Sequence, residues 1–220
     1  MKIGILGTGM VGEALATRLV ELGHEVMMGA RDRGNTRALA WAGDDSARST
    51  GDFADAAAFG EVVFLAARGT VSLDVIRRAG PENLAGKVLI DVSNPLIIDG
   101  GMPYLDPNCV NTISSAERVQ QAVPRAQVVK TLNTMNAHVM VEPDRAGTGH
   151  VVFVSGDDAD AKSVVITLLR EFGWTEPVDL GPLETARATE MMMPIWLTLW
   201  QRFGTADFNF ALVGVPRKVA

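Results

Sequence analysis

Lys2-Ile3-Gly4-Ile5-Leu6-Gly7-Thr8-Gly9-Met10-Val11-Gly12 decides the reading of this chain: an apolar run of strand character passes directly into Gly-x-Gly-x-x-Gly and then into a helical pattern. The glycine spacing alone is a weak signal. Between a strand and a helix it describes a backbone built to hold a pyrophosphate. Gly7 permits the tight turn, Gly9 removes a Cβ that would keep the backbone away from phosphate, and Gly12 lets helix and strand pack closely. The free N–H groups and dipole of the helix N-terminus then attract the anion. Gly7, Thr8, Gly9, Met10, Val11 and Gly12 are therefore candidate cofactor-binding residues.

Beyond this loop Val11, Ala14, Leu15, Leu19 and Leu22 recur at helical spacing, and Gly23 stands where a helix-ending glycine belongs. A second strand, Glu25 to Gly29, runs into Gly29-Ala30-Arg31-Asp32-Arg33. An NAD site presents a carboxylate to the ribose 2′-hydroxyl at this strand end. Here the residues are small and then basic, with Arg37 also near, and a guanidinium fork suits a 2′-phosphate. Asp32, one residue later, would repel a phosphate if turned inward. The balance favours NADP(H) over NAD(H), with a solvated arginine loop as the alternative.

Strand and helix patterns then alternate, which predicts an α/β fold: a doubly wound parallel Rossmann-type sheet with a small C-terminal helical segment. Strands are expected near 47–50, 61–66, 87–92, 127–132, 150–154 and 177–180. Helices are expected over 36–41, 53–59 and 70–79, from the Ser114-Ser115-Ala116-Glu117 capping box to Val123, over 159–172, and from about 183 to 203. Pro194 falls inside the last and should kink or restart it. Leu96 to Thr112 reads as a long loop. Residues 1–145 are expected to form the NADP-binding Rossmann domain and 146–220 a strand–helix extension closing an acceptor cleft.

The 220 residues can bury one sizeable core, and 47% hydrophobic with 21% charged residues is ordinary for a globular protein. A net charge of −6, with no basic stripe, argues against a nucleic-acid surface. The lone Cys109 excludes an internal disulfide and fits a reducing compartment. The glycine-broken N-terminus is not a signal peptide, and the apolar Met191–Trp200 segment is about half a membrane span. A cytoplasmic protein with no membrane partner is expected.

Ligands of open α/β sheets bind beyond the carboxyl ends of the strands. That rule selects Gly7–Gly12, Gly29–Arg31, Ala66-Ala67-Arg68, Ser93-Asn94-Pro95 and Asn133–Ala137. The last two flank the expected nicotinamide, where Asn94 and Asn136 either hydrogen-bond the carboxamide or cap their own turns. His24, His138 and His150 have no partners at ligand spacing, so neither a metal site nor a catalytic triad is read. An alcohol or hydroxy-acid dehydrogenase needs a general acid or base beside the substrate carbon. None is evident, since Lys130 lies in a buried strand. Hydride exchange between two redox rings needs only proximity in a dry pocket, so no catalytic side chain is expected. An NADPH-dependent reductase of a small carbonyl or imine, and a non-catalytic NADPH-binding module, are the alternatives.

Gly4–Gly12, Gly29-Ala30-Arg31, Leu132-Asn133-Thr134-Met135 and Asp179-Leu180-Gly181-Pro182-Leu183, followed by Ala186-Arg187-x-x-Glu190, resemble the coenzyme F420-dependent NADP reductases in order and spacing. The resemblance runs from Met1 to about Gly214. A weaker likeness, through Asn133-Thr134, is to the cytosolic NADPH domain of membrane ferric reductases. The resemblance implies the pyrophosphate at Thr8 to Val11, the 2′-phosphate at Ala30, Arg31 and Asn35, and the nicotinamide against Asn94 and Ala137; Ala66, selected by the strand-end rule, is a further cofactor-binding candidate. It implies the deazaflavin F420 in a cleft between the dinucleotide domain and the C-terminal helix, against Met135 and the Met191–Trp196 face that includes Met193; Asn136 joins them as an acceptor-pocket candidate, and a flavin or another small oxidant fits the same pocket. Asn35 stands where the family tends to a basic residue, and Asn94 where it tends to an apolar one. The methionine–tryptophan stripe equally fits a core or a subunit interface, and a homodimer is expected.

Overall fold

The computed structural model describes residues 1–214; the last six residues of the expected 146–220 extension lie outside the described residues. Period-two alternation in the strands sets the layers. Eight strands, β1 (Lys2–Leu6), β2 (Glu25–Ala30), β3 (Arg48–Asp52), β4 (Val62–Leu65), β5 (Val88–Asp91), β8 (Gln127–Thr131), β9 (Val152–Gly156) and β10 (Pro177–Asp179), form one sheet; β6 (Leu96–Ile97) and β7 (Tyr104–Leu105) form a separate hairpin. The sheet order is β10-β9-β8-β5-β4-β1-β2-β3. Ile3 and Ile5 of β1, Phe64 of β4, Ile90 of β5 and Val129 of β8 pack on one face, with α1 (Met10–Glu21) among the helices covering it. Leu6, Val63 and Leu65, Leu89 and Val128 pack on the other. Each such fully buried aliphatic side chain contributes about 1.5–3 kcal/mol relative to an exposed one.

Helix starts follow the polar residues before them. Asn35 caps α2 (Thr36–Ala42), and Asp52 and Asp55 form a capping box on α3 (Phe53–Phe59). Next come α4 (Ser72–Ala79) and α5 (Pro81–Leu84). Ser114 and Glu117 form the expected box on α6 (Ser115–Ala122). After α7 (Ala137–Val141), Asp158 caps α8 (Ala159–Phe172), and Gly173 in the left-handed region ends it.

Several elements differ from expectation. The β8–β9 pair is antiparallel, while every other pair of the large sheet is parallel. The reason lies in the connection. Its only α-helix, α7, has five residues, too few to form the crossover helix that usually returns the chain between parallel strands. Residues 96–112 are not a structureless loop: they hold the β6–β7 hairpin and a 3-10 turn at Pro107–Cys109. The expected single C-terminal helix is three pieces, a 3-10 turn at Leu183–Thr185, α9 (Ala186–Met191) and α10 (Met193–Phe203). Pro194 lies in the first turn of α10, where its missing N–H leaves no helical bond unmade.

Candidate functional site

The carboxyl ends of β1, β2, β4, β5 and β8 open on one cleft of about 720 Å3, in the upper part of the usual small-molecule range. Gly7, Thr8, Gly9, Met10 and Val11 line it at the β1–α1 turn, and Ala30, Arg31 and Asn35 beyond β2. Ala66, Asn94, Met135, Asn136 and Ala137 line it at the ends of β4, β5 and β8. The three glycines of the motif divide their work. Gly7 has φ +140°, and a Cβ there would meet the Ala66 carbonyl at 2.4 Å. Gly12 lies outside the lining; a Cβ on it would sit 2.2 Å from the Gly7 carbonyl oxygen. Nothing lies within 4 Å of a Cβ built on Gly9. Packing therefore demands Gly7 and Gly12, while the open space at Gly9 belongs to the cleft. The N-terminus of α1 has no side-chain cap, so its leading amides face the cleft unspent. Bare amides, a helix dipole and open room together fit a pyrophosphate.

The arginines near the end of β2 separate in the structure. Arg33 grips Asp55 through Nε and Nη2, both at 2.7 Å, and lies 3.3 Å from Asp52; the Asp55 bond holds the Arg33 guanidinium above its ordinary range. Arg37 binds Glu13 at 2.9 Å on the outer side of α1. Arg31 lines the cleft and has no hydrogen-bonding or ion-pair partner among the described residues. Asn35 spends Oδ1 on the Ala38 amide at 3.0 Å, which leaves its Nδ2 as a donor at the same corner. Guanidinium plus amide is a donor pair suited to a phosphate monoester.

At the other end of the cleft the asparagines are committed to structure. Asn94 Nδ2 donates to the Asn133 carbonyl at 2.7 Å, and Asn133 Nδ2 donates to Asn94 Oδ1 at 3.0 Å, which locks the ends of β5 and β8 together. Asn136 Oδ1 caps α7 by accepting from His138 and Val139 at 2.7 and 3.0 Å, while its Nδ2 donates to the Ala206 carbonyl. Leu132, immediately past β8, has φ +61°, a conformation that costs a non-glycine residue about 1–2 kcal/mol and is held by the buried polar turn after it. Around these residues the lining is apolar: Val92, Leu96, Ile98, Met135, Ala137 and Met140.

Met193 lies elsewhere. It packs with Trp196 and Leu197 against the hairpin residues Leu96 and Leu105 and against Ala206, Phe208 and Phe210. Neither it nor Trp196 lines the cleft, so the α10 face supports the cleft wall from behind, through Leu96. Sequence reasoning missed Phe53, Val71, Val75, Arg78 and Met140, all of which line the cleft from the first turns of helices or one face of α4. The strand-end rule, extended one turn into the following helix, finds Phe53 and Met140, whereas Val75 and Arg78 line the cleft along the length of α4 and are seen only once that helix is placed. Among the described lining residues Asp74 is the one carboxylate, and Arg77 and Arg78 both engage it, the latter at 2.9 Å. His24 binds Glu171 at 2.8 Å, His150 binds the Pro143 carbonyl at 3.0 Å, and His138 is exposed, so no histidine lines the cleft among the described residues. No helix among them is long and apolar enough to cross a membrane.

A family model described as "NADP oxidoreductase coenzyme F420-dependent" matches residues 2–95. Metalloreductase STEAP3 of Rattus norvegicus is 32% identical over 199 residues; this chain spans 38% of that protein's length, and the match takes in 89% of this chain. The F420-dependent NADP reductase of Methanocaldococcus jannaschii is 30% identical over 211 residues, covering 90% of this chain and 92% of that protein. A crystal structure at 1.70 Å from Arthrobacter sp. FB24, provisionally assigned as an F420-dependent NADP reductase, matches with a TM-score of 0.91 at 48% identity, over 97% of this chain and 99% of that one. With near end-to-end matches in sequence and in structure, and a glycine cradle lining the cleft, the chain belongs to the F420-dependent NADP reductase family.

Proposed function

We propose that this NADP-dependent oxidoreductase transfers a hydride directly between the nicotinamide of NADP(H) and the ring of a deazaflavin of the F420 type, or of a flavin. The observation that carries this reading is the division of the cleft. Donors gather at the β1 and β2 ends, whereas the β5 and β8 ends are apolar, with their amides already bonded to protein. Asp74, the lining carboxylate, is held by two arginines on α4 and is poorly placed as a proton donor. A bound nicotinamide supplies the hydride chemistry at its C4. The protein's part is to grip, align and keep dry. The amides at Thr8 to Val11 would hold the pyrophosphate, with Ala30, Arg31 and Asn35 at the 2′-phosphate. Ala66, Asn94 and Ala137 would bound the nicotinamide, and Met135 with Asn136 the acceptor. Excluding water from two stacked rings gives the proximity such a transfer needs.

Residues 1–145 serve in this reading as the dinucleotide-binding part, and 146–220 as the extension that buttresses the acceptor side. The exposed apolar side chains Met191, Ile195 and Phe203 support self-association as a homodimer, and the lone buried Cys109 supports a cytoplasmic setting. The test is NADPH oxidation followed by absorbance with F420, FMN, FAD and a ferric chelate in turn. Turnover with F420 or a flavin is expected; no oxidation with any of the four overturns the proposal. A retained chromophore in the purified protein's spectrum would name the partner, because deazaflavin and flavin absorb differently.

A further inference from the structure

The Ala186-Arg187-x-x-Glu190 motif lies outside the cleft lining, yet it ends in a buried charge cluster just behind the cleft. Lys130 in β8, Asp91 at the end of β5 and Glu190 in α9 have at most 1% of their surface exposed. Lys130 Nζ donates to Asp91 Oδ2 at 3.0 Å, to Glu190 Oε1 at 2.7 Å and to the Ser93 carbonyl at 2.6 Å. The Ser93 amide donates to Asp91 Oδ1 at 2.8 Å. The amides of Ser115 and Ala116, at the start of α6, donate to Glu190 Oε2 at 2.8 Å and Oε1 at 3.2 Å. Every carboxylate oxygen in the cluster therefore faces an N–H donor. A proton on either acid would point at a donor instead of an acceptor, so the bonding pattern calls for two carboxylates and one ammonium. The cluster carries a net charge of −1, softened by the fractional positive charge of the α6 N-terminus. Burial opposes the Lys130 ammonium, but the two acids outweigh it and hold its pKa above the ordinary value. Burial also pushes the Glu190 carboxyl up, against the pull of Lys130.

Ser93 joins this cluster to the cleft. Its carbonyl and amide bind Lys130 and Asp91, and it lines the cleft beside Asn94. A dinucleotide laid across the switch between β1 and β4, with its adenosine at Arg31, brings its nicotinamide to this end. We infer that Asp91, Lys130 and Glu190 form a fixed negative centre behind the Ser93–Asn94 floor that favours the oxidised, cationic nicotinamide over the neutral reduced ring, making the bound reduced cofactor a stronger hydride donor. These are positioning residues: they act through the charge and shape of the floor without touching substrate. The inference rests on the nicotinamide placement under Proposed function. Large charge separations in buried sites are weakly screened, and one net charge about 10 Å away at an effective dielectric of about 20 changes an affinity ratio roughly tenfold.

The experiment measures dissociation constants for NADP+ and NADPH by fluorescence titration of the wild type, Glu190→Gln and Asp91→Asn. These isosteric variants lie in different elements, so either reads the effect if the other fails to fold. Each should raise the ratio of the NADP+ constant to the NADPH constant by about tenfold. A merely structural loss weakens both cofactors alike and leaves the ratio at its wild-type value. An unchanged ratio in a folded variant overturns the inference while leaving the dinucleotide reading intact. A wild type that binds neither cofactor overturns both.

Discussion

Arg31→Ala isolates the group proposed to read the adenosine 2′-phosphate. Its guanidinium is exposed at the cleft corner with no protein partner among the described residues, so the variant frees no buried charge and should fold normally. The magnitude follows from the setting. A unit charge pair at 4 Å is worth about 1 kcal/mol in water and about 4 kcal/mol at an effective dielectric of 20. A hydrogen bond to a charged group contributes about 1.5–3 kcal/mol. An exposed arginine belongs toward the lower part of that range, and Asn35 Nδ2 supplies a second donor. The expected loss for NADPH is about 1.5–2.5 kcal/mol, or roughly 10- to 70-fold. NADH, which lacks the phosphate, should change by less than about twofold. Calorimetric titrations with both cofactors would measure this, and the NADPH preference of the wild type should shrink as salt shortens the Debye length from about 10 Å at 0.1 M. Arg33→Ala is the control, since that side chain is already held by Asp55 and Asp52. Equal losses for NADPH and NADH in Arg31→Ala, or lost discrimination in Arg33→Ala alone, would refute the assignment.

The glycine motif should split under mutation. Gly12→Ala forces a methyl to 2.2 Å from the Gly7 carbonyl oxygen and should lower unfolding stability by about 1–3 kcal/mol or more, whereas Gly9→Ala should unfold like the wild type yet bind dinucleotide more weakly; equal urea midpoints for the two variants would contradict this. Lys130→Met leaves two buried carboxylates without their cation and should cost about 3–5 kcal/mol in urea unfolding, and a loss below about 1 kcal/mol would show that the pair tolerates neutralisation. Arg187 grips Glu117 through a bidentate fork, with Nε at 2.8 Å and Nη2 at 2.5 Å; burial alone would raise the Glu117 carboxyl, but this fork and the Ser114 donors outweigh it and hold the group below the usual 4.5. Its stabilising contribution is therefore full above 4.5 and is lost as pH falls through the depressed folded value. Unfolding measured between neutral and acid pH should show Arg187→Ala losing part of the wild type's acid sensitivity, and parallel pH curves would reject the linkage.

Much of the fold is visible in local patterns. Phe53 to Phe59 begins and ends as its alanine-rich run predicts, and the Ser114–Glu117 box opens α6 as read, because capping and propensity act over a few residues. The antiparallel entry of β9, the hairpin within 96–112 and the five-residue α7 were not visible. Each is decided by what the connecting segment packs on once the sheet has formed. The asparagines illustrate the same limit. Asn94 and Asn136 read equally well as carboxamide ligands or as caps, and only the placement of Asn133, Val139 and the Ala206 carbonyl shows their amides occupied.

The sequence by itself determined the glycine cradle, the basic strand end that follows it and the alternation that builds the sheet, because each depends on backbone freedom, charge or period within a short window. Only the tertiary structure decided which of the arginines just past β2 lines the cleft with no partner among the described residues, that Met193 supports the cleft wall from behind instead of lining it, and that Glu190 meets Lys130 from sixty residues away. Those outcomes depend on which surfaces the completed sheet brings together, and partners so distant along the chain leave no pattern in either segment alone.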